Sequence, residues 1–354
     1  MDIKDFLEKK AGEINKEIEA FMPRKPTKEW MTFIANKADY VHDLKTTEES
    51  TNKPLWDFLD RGGKRWRPSL MLLSCEAVGG NPEKIKEFVV LPELVHNGTI
   101  IVDDVEDNSQ LRRGKPTLQH IYGEDIAINA GNMLYFLPLK VIEKFLKENP
   151  SESEKALKIY QLYNEEMIRL SLGQAMDIYW HRGNADEVSE DQYLQMCVYK
   201  TGSLAKISAE IGALLGGADD NLVKLFGEFA ASIGVAFQIQ DDILNIASSK
   251  DWGKEVGDDI NEGKRTLLVI HALNNSSKEN AVRLTEILNT HTEKPEEIKE
   301  AIGIIKESGA IDYANEKARA LVTDSWNELK KELKDSEAKS TLKSFADYLI
   351  NREI

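Results

Sequence analysis

Two clusters of carboxylates are the residues with the clearest capacity for chemistry. In the segment 93–118, ELVHNGTIIVDDVEDNSQLRRGKPTL, Asp103 and Asp107 stand four apart with Asp104 beside them. On a helix, that spacing stacks Asp103 and Asp107 on one face. Like charges so placed oppose the helix unless solvent or a cation compensates them. A solvated acidic patch is the plain alternative for any single cluster of this kind. Here the carboxylates end an apolar run and are followed by Arg112, Arg113 and Gly114. Oxygen donors without His or Cys suit Mg²⁺, which takes a few carboxylates together with waters and substrate phosphates. A second cluster, FQIQDDILN, repeats the pattern with Asp241 and Asp242 at the end of another apolar run. Gln238 and Asn245 share the helix face of Asp241. Opposed across a helical bundle, the two clusters could hold several Mg²⁺ ions around one diphosphate.

The bases that would meet such an anion fall in short glycine-containing segments. Arg61-Gly62-Gly63-Lys64-Arg65-Trp66-Arg67-Pro68 sets bases after a glycine pair and ahead of a proline that suits a helix start. Lys200-Thr201-Gly202 sits where glycine would interrupt a helix. The stretch DWGKEVGDDINEGKRT brings Lys254 and Lys264 among three glycines and reads as a mobile lid. Each alone reads as an ordinary surface loop; together in one chain they read as an anion site.

The elements that must carry these residues are helical. Phe88, Leu91, Leu94, Val95, Ile101, Val102 and Val105 recur near a period of 3.6, as do Leu222, Leu225, Phe226, Phe229, Ile233, Ala236 and Phe237. Alternating strand patterns are hard to find, and no composition shift marks a domain boundary. The expectation is an all-α, single-domain helical bundle over residues 1–354. Its motif-bearing core spans about 55–275, with accessory helices at 1–50 and 275–354.

The 354 residues carry 46 Lys and Arg against 61 Asp and Glu, a formal charge of −15. Such a balance disfavours nucleic acid and anionic membranes as partners. No run of about 18 apolar residues predicts a membrane span, and MDIKDFLEKK lacks the apolar centre of a signal peptide. Two cysteines make no disulfide framework, and the histidines never fall at zinc-ligand spacing. The expected location is the cytoplasm.

GGKRWRP, DDVEDNSQLRRGKPT, KTGSL, FQIQDDILN and GDDINEGKRT, in this order, resemble the trans-isoprenyl diphosphate synthases. The details EDNSQLRRG, HIYG, INAGNMLYF and MDIYW are most similar to geranylgeranyl diphosphate synthases of the eukaryotic type. The resemblance implies the isoprenoid-synthase bundle around a central cavity, and a condensation of isopentenyl diphosphate with dimethylallyl, geranyl or farnesyl diphosphate. It implies two to three Mg²⁺ ions, with Asp103, Asp107 and Asp241 as ligands and Asp104 supporting them. Arg112, Lys200, Thr201, Gln238, Lys254 and Lys264 would contact the allylic diphosphate. Lys64, Arg67, His96 and Arg113 would bind isopentenyl diphosphate; His96 lies seven before Asp103, on its face of the helix. A homodimer or higher homo-oligomer is implied as well. Two departures stand out. Asn245 replaces a third aspartate, removing one charge from that metal site, and Val269 replaces a proline common in relatives.

Gly98 and Thr99, one turn before Asp103, are small where the family's shorter-product enzymes carry aromatics. A deeper pocket and a twenty-carbon product are expected, with Tyr135 or Phe136 as candidate floors. A longer-chain synthase, a class I terpene cyclase and a non-catalytic partner subunit are the alternatives. The basic segment GGKRWRP with Arg113 argues against the cyclase, which has one substrate. Survival of both acidic motifs argues against the subunit.

Overall fold

The computed structural model describes residues 3–185, 187–247 and 257–350. These are helical nearly throughout, as the periodicity predicts. Among them the only strands are Leu111–Arg112 and Lys115–Pro116, paired antiparallel. Residue contacts divide the chain into two compact units, Met1–Tyr163 with Ser208–Val223 and Asn164–Ile207 with Lys224–Ile354.

In the first unit, helix Val90–Glu106 buries Leu91, Leu94, Val95 and Ile101 and packs extensively on helix Glu124–Phe136. The two approach closely because glycines face each other at the crossing. A Cβ on Gly98 would lie 2.7 Å from the carbonyl oxygen of Gly131, and one on Gly131 would lie 2.9 Å from Val102. Gly98 thus has a packing reason to be small, independent of any product pocket. Helix Ile3–Phe21 buries Leu7, Ile14 and Ile18 and packs on helices Trp66–Ala77 and Val90–Glu106.

In the second unit, Ser189 and Gln192 form a reciprocal capping box that starts helix Glu190–Cys197. That helix does not break at the glycine of KTG. It widens into a π-helical turn, Val198–Gly202, and continues as helix Ser203–Gly216. Two glycines let its neighbours close on this turn. A Cβ on Gly173 would lie 2.4 Å from the backbone nitrogen of Lys200, and one on Gly234 would lie 2.7 Å from the Cα of Gly202. Helix Asp220–Ala247 has the length and hydropathy to cross a membrane. Phe226, Phe229, Ala230, Ile233 and Ala236 along it are buried within the protein, as befits a core helix. Phe229 packs on Trp326, their ring centroids 5.4 Å apart, on a C-terminal helix, Ala310–Glu332.

Candidate functional site

The first unit places its carboxylates at the C-terminal end of helix Val90–Glu106, where Asp107 is the capping residue. Asp103 and Asp107 are half-buried, whereas Asp104 is 1% exposed. Asp104 is held by Arg112, whose Nε and Nη2 reach one carboxylate oxygen at 2.7 and 2.5 Å. Arg112 Nη2 stands 3.9 Å from Asp103. In this state, then, Arg112 is engaged by the acidic motif itself. It can do so because the basic segment is a tight hairpin, an element the sequence pattern did not reveal. Leu111 pairs with Pro116 and Arg112 with Lys115, and the two turn residues Arg113 and Gly114 both have positive φ, 54° and 74°. That is the backbone of the two-residue hairpin turns, unusual for arginine. Arg61, singled out for no role, anchors the hairpin by donating to the Pro116 carbonyl at 2.8 Å while bonded to Asp57.

Arg67, His96 and Arg113 are gathered in the same unit. Arg67 Nη1 lies 3.1 Å from His96 Nε2. A guanidinium only donates, so Nε2 accepts and the imidazole proton sits on Nδ1. Burial, then the charges of Arg67, Arg113, Arg65 and Arg112, push the His96 pKa well below its ordinary value, so the ring is neutral. Arg113 is held by the Gly62 carbonyl and by Asn97 Oδ1 at 3.4 Å, and lies 5.0 Å from the Phe58 ring centroid. Burial pulls its pKa down to about 10, which leaves it cationic. Arg65 differs from its motif neighbours: it is buried and bonded to Glu93 at 2.6 Å, to Asn15 and to the Leu59 carbonyl. It is a structural arginine with positive φ, 49°. Lys64 lies exposed on the same loop. Thr99, half-buried, donates to the His96 carbonyl at 2.9 Å.

The second unit assembles Lys200, Thr201 and Gln238. Lys200 Nζ meets Asp177 Oδ2 at 2.6 Å. Asp177 and Gly173 share a face of helix Ser153–His181, so Gly173 admits the π-turn backbone while Asp177 receives its lysine. Thr201 Oγ1 donates to Gln238 Oε1 at 2.9 Å, and Gln238 Nε2 donates to Asp242 at 2.9 Å. Asp242 is buried and its pKa is pushed up to about 8, by burial first and then by Asp259, with a smaller contribution from Asp241. Asp241 itself is half-buried. Lys264 pairs with Glu262 and stands 3.8 Å from Asp259. Lys200 and Lys264 both act on His181, whose pKa is lowered mainly by burial. Lys254 lies outside the described residues.

Both departures have local explanations. Asn245 is buried, and its Oδ1 accepts the Asp259 backbone N–H at 3.3 Å, so it ties the following segment to its helix. Val269 donates its backbone N–H to Thr266 Oγ1 at 3.3 Å, completing the N-cap of helix Leu267–Asn275. Proline has no N–H to give there.

Mg²⁺ fits the acidic helix end by the chemistry of its donors. Asp103 and Asp107 offer hard oxygens and keep solvent access for waters or phosphates. Among the described residues no three His, Cys, Asp or Glu side chains form a preformed cage. Mg²⁺ is commonly held that way, by one or two carboxylates with substrate phosphates completing its shell.

The polyprenyl synthetase family model matches residues 48–305. A geranylgeranyl diphosphate synthase of Methanosarcina mazei is 35% identical over 87% of this chain and 91% of its own length. A geranylfarnesyl diphosphate synthase of Aeropyrum pernix is 35% identical over 88% and 98% of the two chains. The crystal structure of a geranylgeranyl pyrophosphate synthetase from Pyrococcus horikoshii superposes with a TM-score of 0.83 at 30% identity, covering 99% of this chain and 98% of that one.

Proposed function

We propose that this chain, which belongs to the polyprenyl synthetase family, is a Mg²⁺-dependent geranylgeranyl diphosphate synthase of the cytoplasm. It is a prenyltransferase. One observation carries the reading beyond the family. Arg67, buried, and Arg113, half-buried, gather their charges about the half-buried and neutral His96 in the same unit as the acidic helix end. A terpene cyclase ionises one diphosphate and needs no second anion site, whereas a condensing enzyme must hold two diphosphates. Cys75 and Cys197 are both buried free thiols, in keeping with a reducing compartment.

In this reading Asp103, Asp107 and Asp241 would hold two to three Mg²⁺ ions, whose positive charge would offset that of the leaving diphosphate. Asp104 keeps Arg112 in place. Lys200, Thr201, Gln238, Lys254 and Lys264, with Arg112, bind the allylic diphosphate and steady it as its C–O bond breaks. Lys64, Arg67, His96 and Arg113 hold isopentenyl diphosphate with its double bond toward the allylic carbocation. Attack forms the 1′–4 bond, and the released diphosphate takes the proton. No side-chain nucleophile is required. The whole of residues 1–354 serves this one activity.

The product length follows from Thr99, half-buried and small one turn before Asp103. The Tyr135 ring lies against Gly98, its Cε1 3.3 Å from where a Cβ there would stand, and Phe136 is 69% exposed. Of the two candidate floors, Tyr135 is therefore the interior one within a single chain. Incubation with labelled isopentenyl diphosphate, farnesyl diphosphate and Mg²⁺ is expected to yield a twenty-carbon diphosphate. The same assay on Thr99→Phe is expected to stop at fifteen carbons from dimethylallyl diphosphate. No condensation by the unaltered chain would overturn the function, and an unchanged product from Thr99→Phe would overturn the pocket.

A further inference from the structure

Tyr193 belongs to none of the motifs above, yet it is buried at the end of a continuous line of side-chain hydrogen bonds. It lies on helix Glu190–Cys197 and is 1% exposed. Its hydroxyl donates to Asp242 Oδ2 at 2.6 Å. The other oxygen of that carboxylate accepts from Gln238 Nε2 at 2.9 Å, and Gln238 Oε1 accepts from Thr201 Oγ1 at 2.9 Å. Cys197, one turn after Tyr193 on the same helix, is buried as well. Every member of the line lies in the second unit.

The chemistry of the groups gives the line a direction. Asp242 Oδ1 accepts the bond from Gln238, so it is the amide nitrogen that faces this carboxyl group. The amide oxygen then faces Thr201, whose hydroxyl must donate. A flipped amide would set its oxygen against the accepting oxygen Asp242 Oδ1 and lose the bond from Thr201, an arrangement disfavoured while that carboxyl group is held. Tyr193 is what holds it. With one donor on each oxygen, the carboxyl plane cannot turn; with only Gln238 bonded, it can. Satisfied buried networks of this kind specify one arrangement, and partly satisfied ones do not.

We propose that Tyr193 is a positioning residue for the condensation, acting through Asp242 to fix the Gln238 amide and the Thr201 hydroxyl that receive the allylic diphosphate. The inference rests on the assignment of Gln238 and Thr201 to that substrate in the proposed function. The hydroxyl is its working part: the ring packs in the core as any aromatic would, and phenylalanine would pack as well.

The test is Tyr193→Phe, assayed beside the unaltered enzyme with each substrate varied in turn. KM for farnesyl diphosphate is expected to rise about tenfold, in line with leaving one buried acceptor without its donor. KM for isopentenyl diphosphate should stay within about twofold. Binding of farnesyl diphosphate with Mg²⁺, measured by calorimetry without the second substrate, should weaken by the same factor and does not depend on turnover. Condensation by the unaltered enzyme tests the proposed function separately, because the relay is read from the ratio of variant to parent. Thr201→Val, made in both backgrounds, completes the cycle: its effect should be much smaller once Tyr193 is phenylalanine. A Tyr193→Phe enzyme with lowered Tm but parental KM and affinity would overturn the proposal and leave Tyr193 a packing residue. So would full additivity of the two substitutions.

Discussion

His96 shows how a single side chain couples charge to stability. Its ring is neutral because burial and four arginines resist a second proton. The unfolded chain has no such resistance and takes up that proton near the ordinary value of 6.5. Below that value the unfolded state binds more protons than the folded one, so stability falls as pH falls. The slope from one such group is at most about 1.4 kcal/mol per pH unit. His96→Gln keeps an acceptor for Arg67 and removes the titration. Thermal melts between about pH 7.5 and 5 should show the parent losing Tm faster than the variant; parallel curves would refute a depressed His96. The candidate residues came from pattern alone. Carboxylate spacing pointed to Asp103, Asp107 and Asp241, and the glycine-rich contexts pointed to the bases. What spacing could not give was pairing across the fold. Asp177 beneath Lys200 and Glu93 beneath Arg65 are partners 23 and 28 positions away. Asn245 read as a weakened metal ligand because its backbone partner, Asp259, is invisible in a motif.

At the scale of the element, the π-helical turn Val198–Gly202 is what brings Lys200 and Thr201 forward. A π turn inserts a residue into a helix without ending it, and such turns are frequent at functional sites. Glycine at 202 suggested an interruption because glycine disfavours helix interiors. The close approach at this point depends instead on Gly234 of helix Asp220–Ala247, where a Cβ would stand 2.7 Å from the Gly202 Cα. Gly173 does the same from helix Ser153–His181. A methyl there would stand 2.4 Å from the Lys200 nitrogen, closer than atoms can approach, so Gly173→Ala must displace the turn. The expected result is a loss of turnover of about tenfold to a hundredfold, since small misplacements of this kind are costly. Gly12→Ala is the control, because nothing lies within 4 Å of its added methyl. It should leave kinetics unchanged and gain helix stability of about 0.5–1 kcal/mol. Equal kinetics for both variants would refute the role of the crossing. The helices were legible from their 3.6 period, whereas the Arg112 hairpin was not. Its strands are two residues long, too short to alternate, and its turn uses an arginine at positive φ.

The whole molecule carries a charge of −15 and acts, in this reading, on polyanions. Local placement resolves the conflict, since the arginines gather around His96 while the excess acid lies elsewhere. Sequence motif details leaned toward enzymes of the eukaryotic type, while the relatives described above are archaeal; the family stands on either. Self-association is the remaining expectation, and the second unit offers a surface for it. On helix Ser153–His181 the buried face carries Glu166, Leu170, Asp177 and Trp180. The outer face sets Ile168, Leu172 and Tyr179 in one stripe, exposed by 54%, 51% and 56%. Spacings of four and seven keep them in line along the helix. Core aliphatics face inward on this helix already, so large apolar groups left outside in a row call for a partner. A second copy of the chain would meet that need through an isologous contact in which the stripe faces itself. Ile168→Glu with Leu172→Glu sets like charges against each other across such a contact without touching the buried face. Sedimentation at micromolar concentration should give a dimer for the parent and a monomer for the double variant, with the helical circular dichroism of the two the same. A variant that still sediments as the parent does would remove this stripe from the interface.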